Sequence, residues 1–181
     1  EADQVVRMGW VDANAPKAVY SDLDGTLCNV EHRRHFVRDT RPVEELTGVY
    51  ISGDYGERLP KFKKNWPAFF DGIANDPVNE PVMDILNKYK DTHQIVYCTG
   101  RGDNFKQVTQ DWLKKNNAPD GVLYMRNRND SRQDNIVKEI LLDFEILTRF
   151  NVFFCLDDRD QVVKMLRGRG LTVLQVAEGD F

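Results

Sequence analysis

Apolar and β-branched residues gather in five short runs along this chain, at residues 18–21, 94–98, 121–125, 152–156 and 171–176. Runs of this length rich in Val, Ile, Tyr and Phe read as strands, and their weak apolar–polar alternation predicts burial on both faces. Between the runs the spacing changes to that of a helix. Val82, Ile85, Leu86 and Tyr89 follow i, i+3, i+4, i+7, and Phe105, Val108 and Trp112 do so more loosely. Ile136, Ile140, Phe144 and Leu147 mark a third helix, and Val162, Val163 and Leu166 a fourth. Strands alternating with helices predict βαβ units, hence an α/β fold of Rossmann type: a parallel sheet with helices on both faces, three layers in all.

One stretch breaks this rhythm. Residues 31–79 separate the first strand from the first clear helix and carry Pro42, Gly48, Gly53, Gly56, Pro60, Pro67 and Pro77. A structureless loop of that length is uncommon in a compact domain, so a small inserted cap is expected there. The division is then an N-terminal extension or linker at 1–16, a core from 17–30 and 80–181, and the cap at 31–79. Phe62, Trp66, Phe69 and Phe70 fall at i, i+4, i+7, i+8, a stripe that reads as packing against the body rather than as a platform for stacked bases.

The 181 residues are 41% hydrophobic and 30% charged, enough apolar material for a core and close to one domain's length. No apolar run exceeds the five residues from Val152 to Leu156, so no membrane span is expected. The sequence begins Glu1-Ala2-Asp3-Gln4, without an initiator Met or signal-peptide layout, as in a piece of a longer chain. Cys28, Cys98 and Cys155 have neither metal-finger nor disulfide-framework spacing, which favours a reducing, cytoplasmic setting. A net charge of −4 argues against coating nucleic acid by bulk electrostatics. The charge is uneven, however: residues 31–64 hold eight Lys or Arg against six acids, and the rest holds 17 against 23.

Ligands of a parallel α/β sheet bind beyond the carboxyl ends of its strands. There the sequence places Asp22-Leu23-Asp24-Gly25-Thr26 after the first run, Thr99-Gly100-Arg101 after the second and Asp157-Asp158-Arg159 after the fourth, with Lys138 in the helix between the third and fourth. Singly these are ordinary turn and cap residues. Together they suit phosphoryl transfer. One carboxylate can attack phosphorus, and a second two residues on can move a proton at the leaving oxygen. A hard divalent cation such as Mg²⁺ relieves the repulsion among acids so closely set. A lysine and a short hydroxyl hold phosphate oxygens, where charge sits in the transition state.

Asp22-Leu23-Asp24-Gly25-Thr26-Leu27 resembles the first motif of the haloacid dehalogenase (HAD) superfamily, with Thr99, Lys138 and Asp157/Asp158 as its second, third and fourth. That resemblance implies an HAD-like core, Asp22 as nucleophile and Asp24 as general acid/base. It also implies Mg²⁺ held by Asp22, the Asp24 carbonyl and Asp157 with Asp158 nearby, and phosphate bound by Thr99 and Lys138. From about Lys17 to Phe181 the chain is similar to the 3′-phosphatase domains of bacteriophage-type polynucleotide kinase-phosphatases. The similarity is carried by Gly100-Arg101, by Asp130, Arg132, Asp134 and Lys138, by Asp157–Arg159 with Gln161–Val163, by Arg33 eleven residues past Asp22, and by the ending 175–181. It implies substrate contacts from Gly100, Arg101, Arg33, Arg132 and Asp134, and 3′-phosphorylated DNA or RNA ends as substrate. Two departures stand out: residues 34–79 are longer than in that family, and Thr99 stands where it has Ser. No Gly-x-x-x-x-Gly-Lys-Ser/Thr occurs in the sequence, so a fused or partner kinase would have to lie outside it.

Spacing bears on the substrate. From Asp22 to Thr99 is 77 residues, but from Thr99 to Lys138 only 39, so any cap lies in the first interval and leaves the site partly open. A basic cap beside an acidic metal site suits a polynucleotide end, with Arg34, Arg38, Lys63 and Lys64 on non-reacting phosphates and Arg33 and Arg101 on the reacting one. Two other readings compete: an HAD phosphatase for free nucleotides or other small metabolites, and a phospho-accepting receiver. A group with acid/base capacity at Asp24 argues against the receiver, whose phosphoaspartate must persist.

Overall fold

The computed structural model describes residues 14–41 and 61–181. Five strands, β1 (Lys17–Ser21), β2 (Gln94–Gly102), β3 (Gly121–Arg126), β4 (Asn151–Asp157) and β5 (Val173–Gln175), form one sheet in the order β3-β2-β1-β4-β5, every neighbouring pair parallel. The helices are α1 (Glu31–Arg34), α2 (Trp66–Asp71), α3 (Glu80–Tyr89), α4 (Lys106–Lys115), α5 (Asp134–Leu141) and α6 (Asp160–Gly168).

Side chains alternate between two buried faces. Ala18, Tyr20, Val96, Cys98 and Cys155 point to one, where Leu142 and Ile146 from the turn after α5 and Val162, Val163 and Leu166 from α6 meet them. Val19, Ile95, Tyr97, Phe154 and Leu156 point to the other, against Val82, Met83 and Leu86 of α3, Trp112 of α4 and Phe69 of α2. The layers are therefore α/β/α, and both faces are apolar, as the unalternating runs foretold.

Three elements differ from the sequence expectation. β2 continues through Thr99-Gly100-Arg101 to Gly102, with a break in its register against β3 between Thr99 and Gly102. The third helix gives way after Leu141 to a π-helical turn at Leu142–Ile146, which keeps Leu142 and Ile146 buried. β5 is three residues, shorter than the apolar run that marks it.

Of the expected cap, residues 31–41 and 61–79 are described; the rest lies outside the described residues. What is described packs onto the core. Phe69 is buried, Phe36, Val37 and Phe70 lean on the same cluster, and Asn29 and Asn79 donate main-chain bonds of 2.8 Å to Pro77 and Leu27. Among the described residues, no helix is long and apolar enough to cross a membrane.

Candidate active site

β1 and β4 are neighbours in the sheet; Asp22 follows the last residue of β1, and Asp157 is the last residue of β4. The main-chain NH of Asp22 donates to Leu156 O at 2.9 Å, which ties the two strand ends together. Asp22, Asp157 and Asp158 thereby offer carboxylate oxygens all within 4.8 Å of one another, and all three residues are buried. Lys138 reaches them from α5, its ammonium 2.9 Å from Asp22 Oδ1 and 3.1 Å from Asp157 Oδ2, with its side chain 1% exposed. The Thr26 hydroxyl lies 3.3 Å from Asp22 Oδ2 and 3.4 Å from Asp158 Oδ1.

Three carboxylates around one ammonium leave an excess of negative charge out of water. Burial pushes the Asp22 carboxyl well above its ordinary range; Lys138 opposes this, and Asp157 and Asp158 add to it. Burial raises Asp157 as well, again opposed by Lys138. Asp158 is pushed up to about 6 by burial and then by the charge of Asp157. Burial works against the Lys138 ammonium, yet Asp134, Asp157 and Asp22 keep its pKa above the ordinary lysine value. Asp158 Oδ2 is buried without a hydrogen-bond partner. An all-oxygen set with an orphaned buried carboxylate oxygen fits a hard divalent cation, which would satisfy that oxygen and offset the excess charge. Room for it depends on Gly25 (φ +81°): a Cβ there would lie 2.2 Å from Asp158 Oδ2.

Asp24 turns away from this cluster. Arg101 donates to it from Nε at 3.0 Å and Nη2 at 2.7 Å, and Arg33 from Nη2 at 2.5 Å. Burial alone would raise the Asp24 carboxyl; Arg101 and then Arg33 outweigh it and hold the group well below the usual carboxylate range. Both guanidiniums are buried and further engaged. Arg33 forks onto Asp76 at 2.7 and 2.6 Å and donates to Phe69 O at 3.1 Å; Arg101 donates to the Thr109 hydroxyl at 3.1 Å. The two arginines expected on the reacting phosphate thus bind carboxylates here, which match a guanidinium fork as well as phosphate does. It also leaves Asp24 only its main-chain carbonyl to offer a metal.

Asp76 is the residue the sequence reading missed. Its buried carboxylate receives Arg33 and lies 2.7 Å from His32 Nε2, while its carbonyl accepts from Trp112 Nε1 at 2.9 Å. Asp-Pro at 76–77 looks like a turn former, and only the fold brings Arg33 to it.

Thr99 is buried at the end of the regular pairing of β2, its Oγ1 accepting from Arg101 NH at 3.1 Å. Gly100 lets Asp134 approach, since a Cβ there would lie 2.1 Å from Asp134 Oδ1. Asp134 in turn sits 3.5 Å from Arg126 and Arg159 and 3.6 Å from Lys138. Arg132 stays apart: its side chain is 55% exposed and pairs with Asp130 at 2.7 Å. Arg34 is engaged as well, with Glu31 2.8 Å away and the Phe181 ring 5.1 Å away. Arg38, Lys61, Lys63 and Lys64 are exposed.

A model of the polynucleotide kinase PNKP phosphatase domain family matches residues 62–181, two thirds of the chain. A viral protein designated bifunctional polynucleotide kinase/RNA ligase, from Autographa californica nuclear polyhedrosis virus, is 26% identical over 153 residues; these cover 83% of this chain and 18% of the viral one. A chain in the solved Pnkp1/Rnl/Hen1 RNA repair complex superposes with a TM-score of 0.67 and 32% identity, over 94% of this chain and 45% of its own length. This chain thus spans less than half of either relative. A haloacid dehalogenase-like hydrolase of Streptococcus pneumoniae shares the fold at a TM-score of 0.54 and 16% identity, over 87% of this chain and 83% of that one.

Proposed function

The chain belongs to the polynucleotide kinase PNKP phosphatase domain family, and from that premise we propose that it is a Mg²⁺-dependent phosphomonoesterase that removes 3′-phosphate from polynucleotide ends through an aspartyl phosphate. The observation that carries the reading is the pairing of two aspartates in opposite surroundings. Asp22 sits beside the Lys138 ammonium among acidic oxygens, while Asp24, two residues on, is gripped by Arg33 and Arg101.

In this mechanism an Asp22 carboxylate oxygen attacks phosphorus, forming the O–P bond as the bond to the 3′ oxygen breaks. Asp24 delivers a proton to that oxygen, then takes one from the water that hydrolyses the aspartyl phosphate, which releases inorganic phosphate and restores Asp22. Arg33 and Arg101 fix the Asp24 carboxylate. A dianionic phosphate beside them would share their charge and ease the protonation that the acid role requires. Lys138 and Thr99 hold the phosphate oxygens, where negative charge concentrates. Asp22, Asp157, Asp158 and the Asp24 carbonyl would hold Mg²⁺, which when bound offsets charge between nucleophile and phosphate. A kinase joined to or acting beside this domain would complete the healing of a broken strand, in keeping with the relatives' names.

Phosphate release from a 3′-phosphorylated oligonucleotide, compared with a 5′-phosphorylated one and with free nucleotides, tests this. The expected result is preference for the 3′ end, abolition by EDTA and recovery with Mg²⁺. Equal or faster release from free nucleotides favours a small-molecule phosphatase instead.

A further inference from the structure

The aromatic stripe of the cap is not all packing. Phe69 is buried and Phe70 half-buried, but Trp66, one helical turn earlier on α2, is 43% exposed. Its indole lies nearly parallel to the Phe70 ring, at 5.9 Å between centroids and an interplanar angle of 24°. Phe70 leans in turn on Phe105, just past the end of β2, at 4.8 Å. Trp66 is therefore the outer step of a stack of rings that ends on Phe105, four residues past Arg101. The Lys64 ammonium stands 5.7 Å from the indole centroid, and Lys61 and Lys63 are exposed on the same segment.

Phe69, edge-on to Trp66 at 5.7 Å, is linked to Asp24 by a single side chain. Arg33 donates to Phe69 O at 3.1 Å and to Asp24 Oδ1 at 2.5 Å, with its guanidinium carbon 4.1 Å from the Phe69 ring centroid. From Phe69 to Trp66 is about 4.5 Å along the helix axis. The 43%-exposed indole is thus three residues along α2 from the ring that Arg33 contacts while it holds Asp24. Part of the indole stays in water, with the Lys64 ammonium over the ring and Phe70 stacked against it. A flat unpaired base on a polyanionic strand matches both its π face and its charge.

We propose that Trp66, backed by Phe70 and flanked by Lys64, is a stacking subsite for a nucleobase near the 3′-phosphorylated end of the substrate strand. The proposal rests on the polynucleotide reading above and deepens it: one base is gripped by its face, without reading its identity, while the terminal phosphate enters between Asp22 and Thr99.

The test compares a 3′-phosphorylated oligonucleotide, the same oligonucleotide carrying an abasic residue at successive positions near its end, and p-nitrophenyl phosphate. Trp66→Ala should lower the ratio of kcat/KM for the oligonucleotide to that for p-nitrophenyl phosphate about ten-fold, mostly through KM, in line with the usual strength of base–aromatic stacking. Trp66→Leu, which keeps an apolar contact with Phe70 but offers no π face, should do the same, and Trp66→Phe should restore most of the ratio. At one abasic position the wild-type protein should fall to the level of Trp66→Ala. An unchanged ratio in Trp66→Ala, or a Leu variant that behaves as wild type, overturns the stacking subsite while the wild type still releases phosphate from the oligonucleotide. Wild-type protein that hydrolyses p-nitrophenyl phosphate but not the oligonucleotide overturns the polynucleotide reading itself, and the subsite with it.

Discussion

At Asp24 two guanidiniums converge on one carboxylate, and at Asp22, two residues away, one ammonium serves three carboxylates. The chemistry assigned to each follows from that difference. Asp22→Asn should abolish turnover in a protein that still folds, because the amide keeps the shape and cannot attack phosphorus; substantial activity in the folded variant would rule out a covalent route. Asp24→Asn should cost far more with an alkyl 3′-phosphate than with p-nitrophenyl phosphate, whose leaving group needs no proton, and equal losses on both would contradict a proton-transfer role. The metal-free protein should also carry a pH signature. Asp158, at about 6, lies above its unfolded value, so between those values the folded state binds more protons than the unfolded one. Stability in EDTA should therefore fall as pH rises from about 4 to about 6, and thermal melts of Asp158→Asn should show a flatter profile. The roles assigned to these residues came from the motif resemblance, while the gathering of Asp22, Lys138, Asp157 and Asp158 at one edge of the sheet was legible from their places relative to the strands. The partners of Arg33 and Arg101 were not, since a fork suits carboxylate and phosphate equally and the acceptor Asp76 lies 43 residues from Arg33.

Among the elements, the strands were readable because each carries a short apolar run, continuous where β1 and β2 are buried on both faces and still apolar in the less buried edge strands β3 and β5. Where β2 ends was not readable: Thr99-Gly100-Arg101 has the composition of a turn, yet it continues as strand past a break in register that delivers Arg101 to Asp24. The π-helical turn after Leu141 was equally hidden, because a local change of winding leaves the apolar spacing nearly intact. The loop after β1 offers a direct check of how these elements serve the site. It holds Gly25 in the left-handed region, where a Cβ would strike a carboxylate oxygen of Asp158. Gly25→Ala should thus impose backbone strain and displace Asp158 together. The expected outcome is a drop in thermal stability together with a rise in the Mg²⁺ concentration needed for half-maximal activity. A variant with unchanged metal dependence would detach Asp158 from the metal set.

At the scale of the whole molecule the charge balance opposes the proposed substrate: a net −4 repels a polyanion at long range, and the reacting site is itself acidic. Binding must then come from local positive charge at the mouth of the site. Of the four residues given non-reacting phosphates, Arg34 is already engaged with Glu31 and Phe181, which narrows that strand-binding role. The other three of those four, Arg38, Lys63 and Lys64, are exposed. A cation that contacts a non-reacting phosphate displaces a counterion, so each such contact steepens the dependence of log affinity on log salt by about 0.7 for a single strand. Replacing Arg38, Lys63 and Lys64 together by Ala should raise KM for a 3′-phosphorylated oligonucleotide and flatten its salt slope by roughly 2 if all three touch phosphates. A short monoester spans none of these positions, so the loss should be read as a fall in the oligonucleotide-to-p-nitrophenyl phosphate ratio, greatest at low salt and vanishing as salt rises. A triple variant whose ratio and slope match the wild type would mean that the strand leaves the site along another face. A ratio that falls without any change in slope would assign these side chains to packing of the cap rather than to phosphate.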